Sequence, residues 1–257
     1  MEKQENNGQF HSTIVPKGLL VAVGGNEDKV QDLYVLRRVV ELCEKSSANI
    51  EIITTASELP EEMEEMYSKA FLKIGNTKFQ FIHINNRVQA EEEKYLKRIH
   101  KADIIFFTGG DQLRITSILG GTSFLNTIIQ KYYKERCIVA GTSAGATAMS
   151  QTMIYDGGAS EALVKGNVKL TAGIGLGEDT GIIIKNGSLI ETIGNGLVVV
   201  FDGTNILYSN IATIKLGEAI VVEGMSVHTL INGYGYDLKK RQIIKPSELE
   251  NFQQKTK

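Results

Sequence analysis

Five short β-rich apolar runs alternate with stretches of helical spacing. The runs are residues 19–23 (LLVAV), 50–54 (EIITT), 79–84 (FQFIHI), 103–107 (DIIFF) and 137–140 (CIVA); the helical stretches are Val30–Glu44, Glu61–Ile74, Ala90–His100 and Phe124–Tyr133. A strand that returns parallel after a helix does so by a right-handed crossover, so this alternation predicts an α/β protein with a mostly parallel sheet covered on both faces. Such sheets carry their functional loops at the carboxyl ends of the strands. Gly24–Gly25, Thr54–Thr55, Gly109–Gly110 and Gly141–Thr142–Ser143 all fall there and converge on one edge.

After residue 180 the texture changes to short strands with frequent turns at 181–184, 189–193, 197–201, 206–208 and 227–230. Lys-Asn-Gly at 185–187 and Gly-Asn-Gly at 194–196 are hairpin signals, because both Asn and Gly tolerate positive φ. The expectation is a C-terminal antiparallel extension of one domain spanning 18–257, behind a loose polar tail at 1–17. That tail lacks the apolar core of a signal peptide and no run is long enough to cross a bilayer, which predicts a cytoplasmic protein with no membrane partner. With 28 Lys+Arg against 30 Asp+Glu, no global basic field exists to hold nucleic acid. Cys43 and Cys137, the only cysteines, read as buried thiols, and the absence of a His/Cys/Asp/Glu cluster at ligand spacing predicts neither metal nor cofactor.

Gly141-Thr142-Ser143-Ala144-Gly145 follows the run at 137–140 and precedes a helix-like segment. G-x-S-x-G in that context is a nucleophile elbow: its glycines permit a sharp turn that lifts the serine hydroxyl above the sheet. The N–H of Ala144 is then a natural oxyanion donor. The plain alternative is a structural, anion-binding helix start. Thr108-Gly109-Gly110-Asp111-Gln112 ends another strand, where paired glycines admit a ligand to the main chain and Gln112 or Arg114 can fix an amide or carboxylate. Asp111 equally reads as a helix cap. Of the four histidines none stands out as a base for the serine, and either Glu161 or Glu178 can supply the acid.

Together, Gly24–Lys29, His83–Arg87, Phe107–Gln112 and Gly141–Ala146 resemble cyanophycinases, serine exopeptidases of the peptidase E-like group. The similarity runs in order from about Gly18 to Leu238. It implies a flavodoxin-like or class I amidotransferase-like αβα sandwich, often a homodimer. The implied activity is release of β-aspartyl-arginine dipeptides from cyanophycin, a poly-aspartate chain bearing arginine on its side-chain carboxyls. By that resemblance Ser143 is the nucleophile, Gly109, Gly110 and Ala144 line the oxyanion hole with Thr142 and Asp111 beside them, Gln112 and Arg114 face substrate, and Glu161 or Glu178 is the supporting acid.

The chain departs from the family pattern in one place. There, the stretch after Lys-Gly-x-Val-x-Leu continues through a strand to an Asp-x-His-Phe segment that supplies the general base; here Leu170–Asp179 passes straight to what the family places after it. No histidine lies between His100 and His228. The expectation is a cyanophycinase-like hydrolase of impaired activity, with a binding protein that has lost turnover as the alternative. A different enzyme reading, an α/β-hydrolase with Ser143, Asp202 and His228, keeps the chain order serine, acid, histidine.

Overall fold

The computed structural model describes residues 14–75, 77–150, 172–210, 213–215 and 218–249. The five apolar runs become β1 (Leu19–Val23), β2 (Ala48–Ile53), β3 (Thr77–Ile82), β4 (Ile104–Phe107) and β5 (Ile138–Thr142). They pair in parallel in the order β1-β5-β4-β2-β3. Connections through α1 (Tyr34–Glu41) and α2 (Pro60–Ile74) run away from β1, whereas those through α3 (Glu93–Lys101), α4 (Gln112–Leu119) and α5 (Ser123–Lys134) run back towards it. Because crossovers keep one hand, that reversal puts the two groups of helices on opposite faces of the sheet.

The core follows the pleat. Ile104 and Phe106 of β4 pack with Leu36, Val39, Tyr67 and Phe71 on the α1–α2 face, while Ile105 and Phe107 pack with Ile99, Ile115 and Phe124 on the other. All four β4 side chains are buried, as a central parallel strand requires. One charge enters this layer: Glu51 of β2, 2% exposed, takes a two-pronged bond from Arg98 of α3, which also donates to the Phe81 carbonyl.

The remaining strands are β6 (Ala172–Leu176), β7 (Thr180–Lys185), β8 (Leu189–Gly194), β9 (Val198–Asp202), β10 (Tyr208–Ser209), β11 (Val222–Glu223), β12 (Ser226–Leu230), β13 (Gly235–Asp237) and β14 (Gln242–Ile244). β7 joins β1 antiparallel, and β8, β13 and β14 extend the sheet to nine strands, giving the expected antiparallel extension. Asn186 and Gly187, at φ 52 and 68, close the β7–β8 hairpin as their sequence predicts.

The Gly194–Gly196 signal does something else. Instead of closing a hairpin it sends β9 into a separate three-stranded sheet with β6 and β12. The chain turns there at Gly194 (φ 97), where a Cβ would lie 2.2 Å from the Asp179 carbonyl oxygen, too close for any side chain. The small sheet lays Val198, Val200 and Leu230 on Ile182, Ile190 and Tyr236, covering the antiparallel half of the main sheet.

Lys17 donates its N–H to the Tyr133 carbonyl and Pro16 is buried, so the segment expected as tail is already packed at its end. No helix among the described residues is long and apolar enough to cross a membrane. Cys137 is buried as expected, and burial pushes its thiol up to about 12; Cys43 is only half-buried, a correction to the paired expectation. A thiol reagent at pH 8 should therefore modify Cys43 in the native protein and Cys137 only on unfolding, as mass spectrometry of the labelled peptides would report.

Candidate active site

Ser143 stands between β5 and α6 (Ala144–Thr147) with φ 51 and ψ −112. A non-glycine residue there costs about 1–3 kcal/mol and persists only where its surroundings impose it. Its N–H donates to the Val23 carbonyl at 2.9 Å and its carbonyl accepts from Thr147 N–H at 2.9 Å, so both sides of the strained residue are held. Thr142 and Ala144 are buried, yet Ser143 between them is exposed. This is the elbow that the pentapeptide predicts.

Two glycine loops flank the serine. A Cβ at Gly25 would lie 3.2 Å from Ser143 Cβ, and one at Gly109 would lie 3.5 Å from it. Gly25, at φ 106, adopts a conformation that favours glycine, and a side chain there would also crowd Ser143. Gly110 packs on the Ala56 carbonyl, which also accepts from Asp111 N–H at 2.9 Å. The Asp111 side chain accepts from Leu113 N–H at 2.8 Å and caps α4, the plain reading of that residue. Gln112 opens α4, and Arg114 in its first turn donates through Nε to the Thr55 carbonyl at 3.2 Å.

Of the two candidate acids, Glu161 lies outside the described residues. Glu178 is exposed and accepts from Asn26 Nδ2 at 3.1 Å. Its neighbour Asp179 locks the turn to the 24–28 loop: Asp179 N–H donates to the Gly25 carbonyl, and its carboxylate accepts from Asp28 N–H at 3.0 Å. The Glu178 turn is thereby tied to the loop that touches Ser143.

Sequence reasoning missed Glu27. This carboxylate is 2% exposed and accepts from Tyr67 Oη at 2.5 Å and from Thr142 Oγ1 at 2.6 Å, with Lys29 Nζ at 3.1 Å. Burial, and then the negative Glu27, hold the Tyr67 phenol well above its ordinary range, so it remains a donor. Its signals in the sequence were a polar run, Asn26-Glu27-Asp28-Lys29, directly after an apolar strand, and its place in the Gly24–Lys29 segment that carries the resemblance, neither of which gave it a role. Thr142, expected beside the oxyanion site, gives its hydroxyl to this cluster on the α1–α2 side.

None of the three described histidines stands beside Ser143. His83 follows β3, three strand positions from β5 or about 14 Å. Its ring nitrogens are engaged by Thr54 Oγ1 at 2.5 Å and Glu64 Oε2 at 3.1 Å. His100 ends α3 at the opposite edge of the sheet. His228 lies 5.2 Å, ring to ring, from Tyr236 on β13, four strand positions from β5 or about 19 Å. Asp202 lies with His228, Tyr236 and Arg241 on this far side of the sheet, so the Ser143–Asp202–His228 triad does not assemble. His11 lies outside the described residues.

A family model described as Peptidase family S51 matches residues 19–180, well over half of the chain. The chain belongs to peptidase family S51. Among its relatives, a cyanophycinase of Synechococcus elongatus is 28% identical, covering 88% of this S51 chain and 81% of that one. A cyanophycinase of Geminocystis herdmanii (strain PCC 6308) is 27% identical over 87% of this chain and 94% of that one. The crystal structure of a peptidase from an acI-B1 Actinobacterium, 17% identical, superposes with a TM-score of 0.66 over 87% of this chain and 98% of that one, a likeness of fold.

Proposed function

We propose that this S51 peptidase is a cyanophycinase-like serine hydrolase that releases β-aspartyl-arginine dipeptides, with Ser143 as nucleophile and a rate limited by the want of an imidazole beside it. The observation that carries this reading is the exposed Ser143 at φ 51, ψ −112 between the Gly25 and Gly109 loops. The N–H groups of Gly110 and Ala144 would take the developing oxyanion, and Gln112 and Arg114 would meet the substrate. Glu161 or Glu178 would be the supporting acid, and the Asn26 bond ties Glu178 to the loop that carries Gly25. A polymer of aspartate and arginine needs hydrogen bonds and fixed charges more than an apolar pocket, which suits this polar edge. The proposal extends to a cytoplasmic homodimer whose residues 18–257 act as one domain.

Attack on a β-aspartyl amide requires that the Ser143 proton leave as the bond to carbon forms. With no histidine beside it among the described residues, our reading is that water takes it, so that only oxyanion stabilisation and binding remain, orders of magnitude below an intact triad. A second reading, a binding protein without turnover, draws on the same observation about the histidines. Dipeptide release from purified cyanophycin, with calorimetry of β-aspartyl-arginine beside it, separates the two. Slow release abolished by Ser143→Ala supports the hydrolase; binding with no release supports the second reading; release undiminished in Ser143→Ala refutes the nucleophile assignment.

A further inference from the structure

The buried carboxylate under the elbow has no part in the chemistry proposed so far. Glu27 is fully engaged: Oε1 receives Tyr67 of α2 and Lys29, and Oε2 receives the Thr142 hydroxyl from the last residue of β5. Lys29 also donates to the Glu27 carbonyl at 3.0 Å and stands 5.4 Å from the Tyr67 ring centroid, so the charge is balanced inside the cluster. These contacts join a loop, a helix and the strand end that immediately precedes Ser143. In the pleat, Thr142 follows Ile138 and Ala140 onto the α1–α2 face, so its hydroxyl points away from the cleft.

We propose that Glu27 is a positioning residue for Ser143, holding Thr142 so that the strained elbow keeps the hydroxyl raised between the Gly25 and Gly109 loops. The inference rests on the reading of Ser143 as nucleophile. Glu27 acts at both ends of the site, since the loop it belongs to carries Gly25 and Asn26 while its carboxylate anchors the strand that carries Ser143. A strained residue holds its geometry only while its neighbours over-determine it, and Thr142 is the nearest of them.

The test is single-turnover labelling of Ser143 by a fluorophosphonate, in which the serine oxygen bonds phosphorus, fluoride leaves and the serine proton passes to water. Labelling is followed by intact mass and expressed per folded molecule, with folding measured by thermal melting. Glu27→Ala and Thr142→Val should each label at least about 10-fold more slowly, an effect of the size that sub-ångström misplacement of a reacting group produces. Glu27→Gln should recover part of the loss, because the amide can still accept from Tyr67 and pair with Thr142. Adding Thr142→Val to Glu27→Ala should cost little more, since both remove one contact. A purely structural role lowers the melting temperature yet leaves the rate per folded molecule at the wild-type value, and that result in folded Thr142→Val overturns the proposal even where Glu27→Ala fails to fold. Wild-type protein unlabelled at Ser143 overturns the nucleophile reading and this role with it.

Discussion

Arg98→Ala is expected to destabilise the protein by about 3 kcal/mol at pH 8, near the lower end for a broken buried pair because the arginine itself is partly exposed. The substitution leaves Glu51, 2% exposed in the layer under α3, with no counter-charge, and frees the Phe81 carbonyl as well. In the wild type, burial already lifts the Glu51 carboxyl above its ordinary range despite the two Arg98 bonds that lower it. A raised folded pKa means that the folded state binds the proton more tightly than the unfolded one. The contribution to stability is therefore full below the unfolded pKa and is lost as pH rises through the folded one. Removing Arg98 raises the folded pKa further, so the penalty should shrink at pH 5. Urea unfolding of both proteins at the two pH values measures this, and an equal penalty at both would mean that Glu51 does not carry it.

The second large effect is expected at Gly145, beneath the elbow. A Cβ there would lie 2.5 Å from the Phe107 carbonyl oxygen and 2.8 Å from Phe107 Cβ, atoms of the central strand β4 that cannot retreat without breaking the ladder to β2 and β5. Gly141 faces the same residue, with its Cβ position 2.6 Å from the Gly145 carbonyl carbon. Gly145→Val should cost about 3 kcal/mol of stability, the upper range for overpacking a core. It should also push α6 and Ser143 off the sheet. A displacement of about 1 Å at a reacting group costs on the order of 100-fold in rate, so dipeptide release should fall by that factor in whatever fraction folds. Chemical unfolding and assay of the soluble fraction check the two effects separately; retention of wild-type release would show that the helix start does not set the serine.

Much of the parallel core was legible because its signals are local. Each run of apolar residues is bounded by turn residues, and the crossover rule then leaves few ways to arrange helices around the sheet. The elbow was legible for a similar reason: G-x-S-x-G between a strand and a helix states a backbone geometry as well as a composition. The C-terminal part, beyond residue 180, was harder to read. Val198–Asp202 is an apolar run, VVVFD, that alternates only in its burial, so its sequence does not say which of two stacked sheets it joins; in the structure the chain turns at Gly194, packed against the Asp179 carbonyl, before β9 enters the small sheet. Ala172–Leu176, with two glycines in five residues, carries little strand signal and forms β6 by pairing with β9.

Glu27 was invisible for a different reason. A carboxylate in a polar run reads as solvated, and only the meeting of α2, the 24–29 loop and β5 shows that it is buried and fully bonded. The Asp111 side chain shows the converse: its reading as a helix cap needs only the local sequence, and the structure shows that cap. The elbow is legible without its partners, because the strand and helix that build it are local to it, whereas no histidine among the described residues stands beside Ser143.

The most direct test of the central claim is dipeptide release from cyanophycin at pH 7–8 with and without added imidazole, beside Ser143→Ala. A serine hydrolase with no base in contact should release dipeptide slowly, gain several-fold as free imidazole takes over the proton, and lose both rates when Ser143 is replaced. Fast release that imidazole does not change would mean that a base already stands at Ser143 and would contradict the account.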